Sequence, residues 1–516
     1  MGGLLYLWGK IKQGGCSKMI TKMIQIPVTE ENYPFQSAAK KCNFDAIGYI
    51  EDEYFMSGTA NIYTEKDKNH QVEPIFEGAP YTTRLLVRRP ADPAKFSGNV
   101  VIEILNASAL MDIDRMWVNT WQYLTRNGDI YIGITSKGHV VDTLKRFNPE
   151  RYAAINWANP MPEREAPQVQ GPFGCMPQYE AGLYWDMQTD LARLLRTDSE
   201  LNPIREYGKY YLYLLGWSQS GSYMSRTLHS FAYRDEDKYA EPLFDGYFEA
   251  GADAALAPIN SYEYAATNGQ ISQAGTIPQA SVLMCKEPYI AINTESENRG
   301  ANWAGDSDLP DMKFRTYQIP GTSHDAWYNM LDYYEGYLHD DAAKANFELS
   351  YGGVEGEPLD TPYQYIFHAA LRNLYVWVRE GVPAPHAPKI EMVPAKPGDL
   401  DALTAFNPNS AKTKFENKKD LFGNTVGGIR MACMDYPVGK YISYSKKADG
   451  SYDPMFGTVY PFAPEQLKAM YGSLEHYKEL VEKSAAESVA LGFLLKEDVP
   501  AYVDFTINMA KRRELK

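Results

Sequence analysis

The sequence predicts an α/β architecture, a mostly parallel central sheet with helices on both faces. Three observations carry that reading. Apolar runs too continuous for half-exposed strands recur at residues 99–105, 129–134 and 210–215, as expected of strands buried on both faces. Between them lie stretches with helical spacing: Trp117, Trp121 and Leu124, then Leu183, Met187, Leu191 and Leu195. Stop signals such as Asn127-Gly128 separate the two kinds of run, and strand, helix, strand at this spacing marks a parallel sheet.

Taken in order, residues 44–87 read as β. Gly48-Tyr49-Ile50 leads into Tyr54-Phe55-Met56, Ser57-Gly58 is read as a turn, and Ala60 to Tyr63 returns. Residues 83–87 form a further strand ended by Pro90. The central strand 99–105 opens into a small polar loop, Asn106-Ala107-Ser108, before the first helix. Residues 137–177 are proline-rich and aperiodic, too long for a plain connector, and read as an insertion near a binding site. Later strands fall at 243–248, 288–293 and 313–319, and a last core helix runs through Phe367, Leu371, Leu374 and Val378 to Gly381. The expected division is a tail (1–25), a core (26–383) and a C-terminal accessory, lid-like region (384–516).

With 51 basic and 66 acidic side chains the net charge is −15, which argues against a nucleic-acid groove or an anionic membrane surface. No apolar run approaches the ~20 residues that span a bilayer. The five cysteines are scattered without Cys-x-x-Cys spacing, which reads as reduced thiols and a cytoplasmic setting. His-Glu-x-x-His, phosphate-cradling and dinucleotide-binding patterns are missing, so neither a metal nor a cofactor is expected. The partner expected is a small-molecule ester; oligomeric state is left open.

Gly-x-Ser occurs four times, starting at Gly15, Gly216, Gly305 and Gly321. Only Gly216-Trp217-Ser218-Gln219-Ser220 combines a preceding strand, closed by Gly216, a small fifth residue and a helical run that begins near Gly221, the setting of a nucleophile elbow. A serine hydroxyl needs a base, and histidine is near-neutral at pH 7. Of eight histidines, His324 alone is read as following a strand directly; His70, His139, His339, His386 and His476 are read as lacking that setting, and His229 and His368 as helical. An acid between serine and histidine completes the order found on α/β-hydrolase folds; Glu297 is favoured, Glu295 the alternative. The oxyanion donors expected are the amides of Gln219 and of Ala107.

Glu297 follows Pro288 by nine residues, which matches the usual α/β-hydrolase acid strand. More narrowly, the chain resembles a bacterial α/β-hydrolase-domain family without a well-defined substrate. The resemblance rests on Gly48-Tyr49-Ile50-Glu51-Asp52-Glu53-Tyr54-Phe55, Ser57-Gly58-Thr59-Ala60, Leu86-Val87-Arg88-Arg89-Pro90, Asp245-Gly246, Thr294-Glu295-Ser296-Glu297 and the stretch from Gly423 to Arg430. It covers nearly everything after about residue 25. It implies an elbow of the form Gly-x-Ser-Gln-Ser, met at Gly216 to Ser220, and an Asp where this chain has Glu297. The reaction expected is hydrolysis of a carboxylic ester of a small apolar or aromatic molecule through an acyl-enzyme on Ser218. The alternatives are an acyltransferase or lactonase with the same triad, or a non-catalytic binding module.

Overall fold

The computed structural model describes residues 20–66, 71–164, 176–252, 256–266, 285–297, 305–326, 333, 338–345, 355–394, 415–447, 449–453 and 455–516. Their centre is a ten-stranded sheet: β1 (Ile20–Ile26), β2 (Tyr49–Glu65), β3 (Val72–Pro90), β4 (Asn99–Ile104), β5 (Ile130–Ile134), β6 (Tyr211–Trp217), β7 (Gly246–Ala250), β8 (Tyr289–Thr294), β9 (Ser307–Leu309) and β10 (Met312–Ile319). The order is β1-β2-β3-β5-β4-β6-β7-β8-β10-β9. Six neighbours from β5 to β10 run parallel, while β1, β2 and β3 close one edge and β9 the other in antiparallel fashion. Every residue of β4, β5, β7 and β8 is buried, which is why these segments are predominantly apolar rather than alternating.

The helices divide between the two faces. On one lie α1 (Arg115–Asn127) and, later in the chain, α4 (Gln364–Glu380), with Tyr375 4.6 Å from Tyr213 and 6.0 Å from Tyr123, and Phe367 5.8 Å from Phe248, by ring centroid. On the other lie α2 (Tyr184–Leu195) and α3 (Gln219–Ser230), joined by Trp185 stacked 5.2 Å from Tyr223 and 5.1 Å from Phe231. Helix α1 begins where it does because Glu103 on β4 accepts from the amides of Met116 (2.8 Å) and Trp117 (2.9 Å), two first-turn donors that lack an intrahelical acceptor. Burial, with Asp114 adding to it, pushes that carboxyl up to about 8.

Three sequence expectations are corrected. Ser57-Gly58 is no turn: β2 is one strand of 17 residues, with Ser57 paired to Thr82 and Gly58 to Tyr81. Strand pairing with β3 along its length overrides the local turn chemistry, and the register shifts fall instead on either side of Ile62, between Ala60 and Tyr63. Gly216 does not close its strand, which continues to Trp217, and the helix starts at Gln219 rather than Gly221. The strand expected at 243–248 lies at Gly246–Ala250, since Leu243 and Phe244 are buried but outside the ladder.

Cys42, Cys285 and Cys433 are buried free thiols, and Cys16 and Cys175 lie outside the described residues. No helix among the described residues is long and apolar enough to cross a membrane. In the C-terminal region, Gly439–Ile442 pairs with Thr458–Pro461, and the stretch Pro464–Tyr471, Leu474–Ala490 and Val499–Arg512 is helical. Gly423 to Arg430 packs on the sheet: the Ile429 amide donates to Gln318 O on β10 at 2.7 Å.

Candidate active site

Parallel strands deliver their C-terminal ends to one rim of the sheet, and the candidate residues gather there. Ser218 stands between β6 and α3 with φ 57° and ψ −122°, a region that costs a non-glycine residue energy and is kept only where the fold enforces it. The enforcement is visible. The Ser218 amide donates to Ala250 O at 2.8 Å. A Cβ at Gly216 would lie 2.5 Å from Ser220 O, and one at Gly221 2.6 Å from the Ala252 Cβ. So strand and helix approach closely enough to need glycine on either side of the serine.

His324 follows β10, and Glu297 lies in the turn that leaves β8. Glu297 Oε1 is 2.8 Å from His324 Nδ1. Its other oxygen accepts from the Thr294 amide at 2.7 Å and from the Thr294 hydroxyl, so the carboxylate is aimed by its own turn. The His324 amide donates to Ser296 Oγ at 3.1 Å, and that hydroxyl donates to Ser443 O at 2.9 Å. The ring lies against Gly251, just past β7, where a Cβ would come 3.1 Å from Cε1. Gly251 follows Ala250, the backbone partner of Ser218, so the imidazole and the serine flank the same strand end.

The alternative acid, Glu295, points elsewhere. Its Oε1 accepts from Lys419 Nζ at 2.7 Å and Thr425 Oγ1 at 2.6 Å, and its Oε2 from the Gly321 amide at 2.7 Å. Burial alone would raise this carboxyl, but Lys419 and the hydrogen bonds outweigh it and hold it below the ordinary glutamate range. Glu295 thus braces the turn before His324, and of the two glutamates only Glu297 is seen bonded to the ring.

The loop after β4 reaches the turn at Ser218. Asn106 Nδ2 donates to Trp217 O at 2.9 Å. The Ala107 amide donates to Gln219 Oε1 at 3.3 Å, so this candidate oxyanion donor is engaged by the neighbouring side chain here. Gln219 opens α3, and the amide of a first helical residue has no intrahelical acceptor. Two buried ion pairs clamp the far end of the loop: Arg84 to Asp112 at 3.0 Å and Arg88 to Asp114 at 2.6 Å.

Four neighbours escaped the sequence reading. His139, set aside there, follows β5 and brings Nε2 within 3.0 Å of Ala107 O. It does have a strand-end setting, obscured because four residues separate it from Ile134. Lys137 is fully buried, its Nζ 3.8 Å from the Tyr223 ring centroid, and burial drives its amine well below the usual lysine range. Arg115 forms a buried ion pair with Asp325 and lies 5.2 Å from the Trp217 ring centroid. Trp217 itself directs its indole N–H at His324 Nε2, 3.3 Å away. Among the described residues no group of three or more His, Cys, Asp or Glu side chains could hold a metal ion. Ser323 is held by its hydroxyl to Asp325 O.

A family model described as "Alpha/beta hydrolase domain" matches residues 21–504 of this chain. No curated protein matches it. Solved structures similar to it include the esterase Est22, at 11% identity over 62% of this chain and 88% of that one, with a TM-score of 0.30. Thermogutta terrifontis esterase 2, phosphoramylated by tabun, matches at 8% identity over 46% and 78%, TM-score 0.26. The siderophore hydrolase EstA from Aspergillus nidulans matches at 16% identity over 53% and 76%, TM-score 0.23.

Proposed function

Because the chain belongs to the alpha/beta hydrolase domain family, we propose that it hydrolyses a carboxylic ester through an acyl-enzyme on Ser218. The observation that carries this reading is the contact of Glu297 Oε1 with His324 Nδ1 at 2.8 Å beside a serine strained to φ 57°. In the proposed reaction the ester carbonyl is attacked by Ser218 Oγ while His324 Nε2 takes its proton. Glu297 stabilises the imidazolium that forms. The tetrahedral oxyanion is met by the Gln219 amide, and by the Ala107 amide once the substrate oxygen displaces the Gln219 side chain. The imidazolium returns its proton to the leaving alcohol, and water activated by His324 releases the acid. The abundance of aromatic residues, 13% of the chain, suits a small apolar or aromatic acyl group.

Fluorophosphonate labelling followed by peptide mapping tests the nucleophile, and p-nitrophenyl esters of graded chain length test the acyl pocket. Label on Ser218 with turnover of short esters is the expected result. Labelling at another serine, or none with the protein folded, would remove the proposal.

A further inference from the structure

Trp217 stands immediately before Ser218. The pleat of β6 sends its side chain to the same face as Tyr213 and Leu215, where it is fully buried and stacks 5.6 Å from Phe367. From there its Nε1–H meets His324 Nε2 at 3.3 Å, with ring centroids 5.5 Å apart and planes at 58°. An indole nitrogen can only donate, so Nε2 must be the lone-pair nitrogen. Glu297, an acceptor, demands the proton on Nδ1 at 2.8 Å. Two contacts on opposite sides of the ring therefore select one tautomer.

We propose that Trp217 is a positioning residue for His324: its indole N–H holds the imidazole in the Nδ1–H form and weakens its hold on a second proton. The reason is geometric. A proton arriving at Nε2 would make two N–H groups face each other across 3.3 Å, so the imidazolium forms only with loss of the indole contact. The charges around the ring pull both ways. Glu297 favours the imidazolium, and Arg115, whose Nη2 is 3.4 Å from His324 O, opposes it while being paired with Asp325. Glu295 and Lys419, behind the turn, are paired with each other. Trp217 offsets part of the Glu297 effect, so the base stays neutral to lower pH and releases its proton more readily to a leaving alcohol. That rate consequence rests on the ester-hydrolysis reading; the effect on proton affinity does not.

The test uses the full chain with Trp217→Phe and, because the cavity left by the smaller ring could unfold it, with 3-benzothienylalanine placed at position 217, which keeps the bicyclic shape and replaces N–H by sulfur. NMR titration of ¹⁵N-histidine-labelled protein reads His324 directly. The expected result is a rise in its pKa of roughly 0.5–1 unit in both variants, the size of one neutral hydrogen bond. The acid limb of kcat/KM for a p-nitrophenyl ester should move by the same amount. An unchanged His324 titration in the benzothienyl variant would reduce Trp217 to a packing residue and overturn the inference. A shifted titration in a protein that turns over no ester would uphold it while defeating the proposed reaction.

Discussion

Thr425 Oγ1 donates to Glu295 Oε1 at 2.6 Å across 130 residues of sequence, while Glu297, two residues further on, serves His324. Replacing each glutamate by glutamine should separate the two roles. Glu297→Gln should lower kcat on the order of 10⁴-fold if it acts as the acid of a serine triad does, with little change in melting temperature. Glu295→Gln should instead lower the melting temperature, because Lys419 loses its charged partner. Equal activity losses would contradict this division.

Glu295 also gives a pH signature. Its folded pKa is lowered from the ordinary value of 4.5, so the unfolded chain binds protons first as pH falls. The stabilisation is therefore complete above the ordinary value and lost as pH drops through the lower folded one. Melting temperature measured from pH 6 to 3 should show an acid decline that is shallower in Glu295→Gln.

The elbow makes its own prediction. Ser218→Ala removes the proposed nucleophile but keeps the strained backbone, whereas Ser218→Gly relieves it by roughly 1–3 kcal/mol. Both variants should be inactive, with ester turnover down on the order of 10⁶-fold. Only the glycine variant should melt above the parent. Thermal unfolding of the three proteins side by side decides the point.

Gly216→Ala would put a methyl group 2.5 Å from Ser220 O, and overpacking of this kind costs roughly 1–3 kcal/mol. Fluorophosphonate labelling should slow as well, because the serine is displaced with the turn. An alanine variant with unchanged melting and labelling would show that the elbow can widen freely.

Arg115 and Asp325 are about 7% and 6% exposed. Removing one partner of a buried pair typically costs roughly 3–5 kcal/mol, and removing both much less. Arg115→Met alone should thus be more damaging than Arg115→Met with Asp325→Asn. Urea denaturation of both, with the single Asp325→Asn, completes the cycle.

The legibility of this chain follows the range of its interactions. Buried parallel strands announce themselves through continuous apolar runs such as Ile130 to Ile134, and the turn at Glu297 is local, its carboxylate held by Thr294 three residues earlier. Ser57-Gly58 misleads because a long antiparallel partner can flatten a dipeptide that would otherwise bend. The separate role of Glu295 is not legible in sequence, since its partner Lys419 lies 124 residues away. The same is true of Arg115 and Asp325, 210 residues apart. Trp217 was hidden for a different reason: as the middle residue of Gly-x-Ser it occupies the variable place in the motif, and only the strand pleat shows where it points.

The turn carrying His324 is tied to distant chain at both ends. Ser296, which takes the His324 amide, donates to Ser443 O, and the Asp325 amide donates to Met455 O at 2.8 Å. Synthesis runs from the N-terminus and domains fold as units when their sequence is complete. A ribosome that has already made the serine, the glutamate and the histidine must therefore add more than a hundred further residues before the histidine turn gains its last backbone partner. The turn that holds His324 therefore completes its backbone pairing only after Met455 has been made.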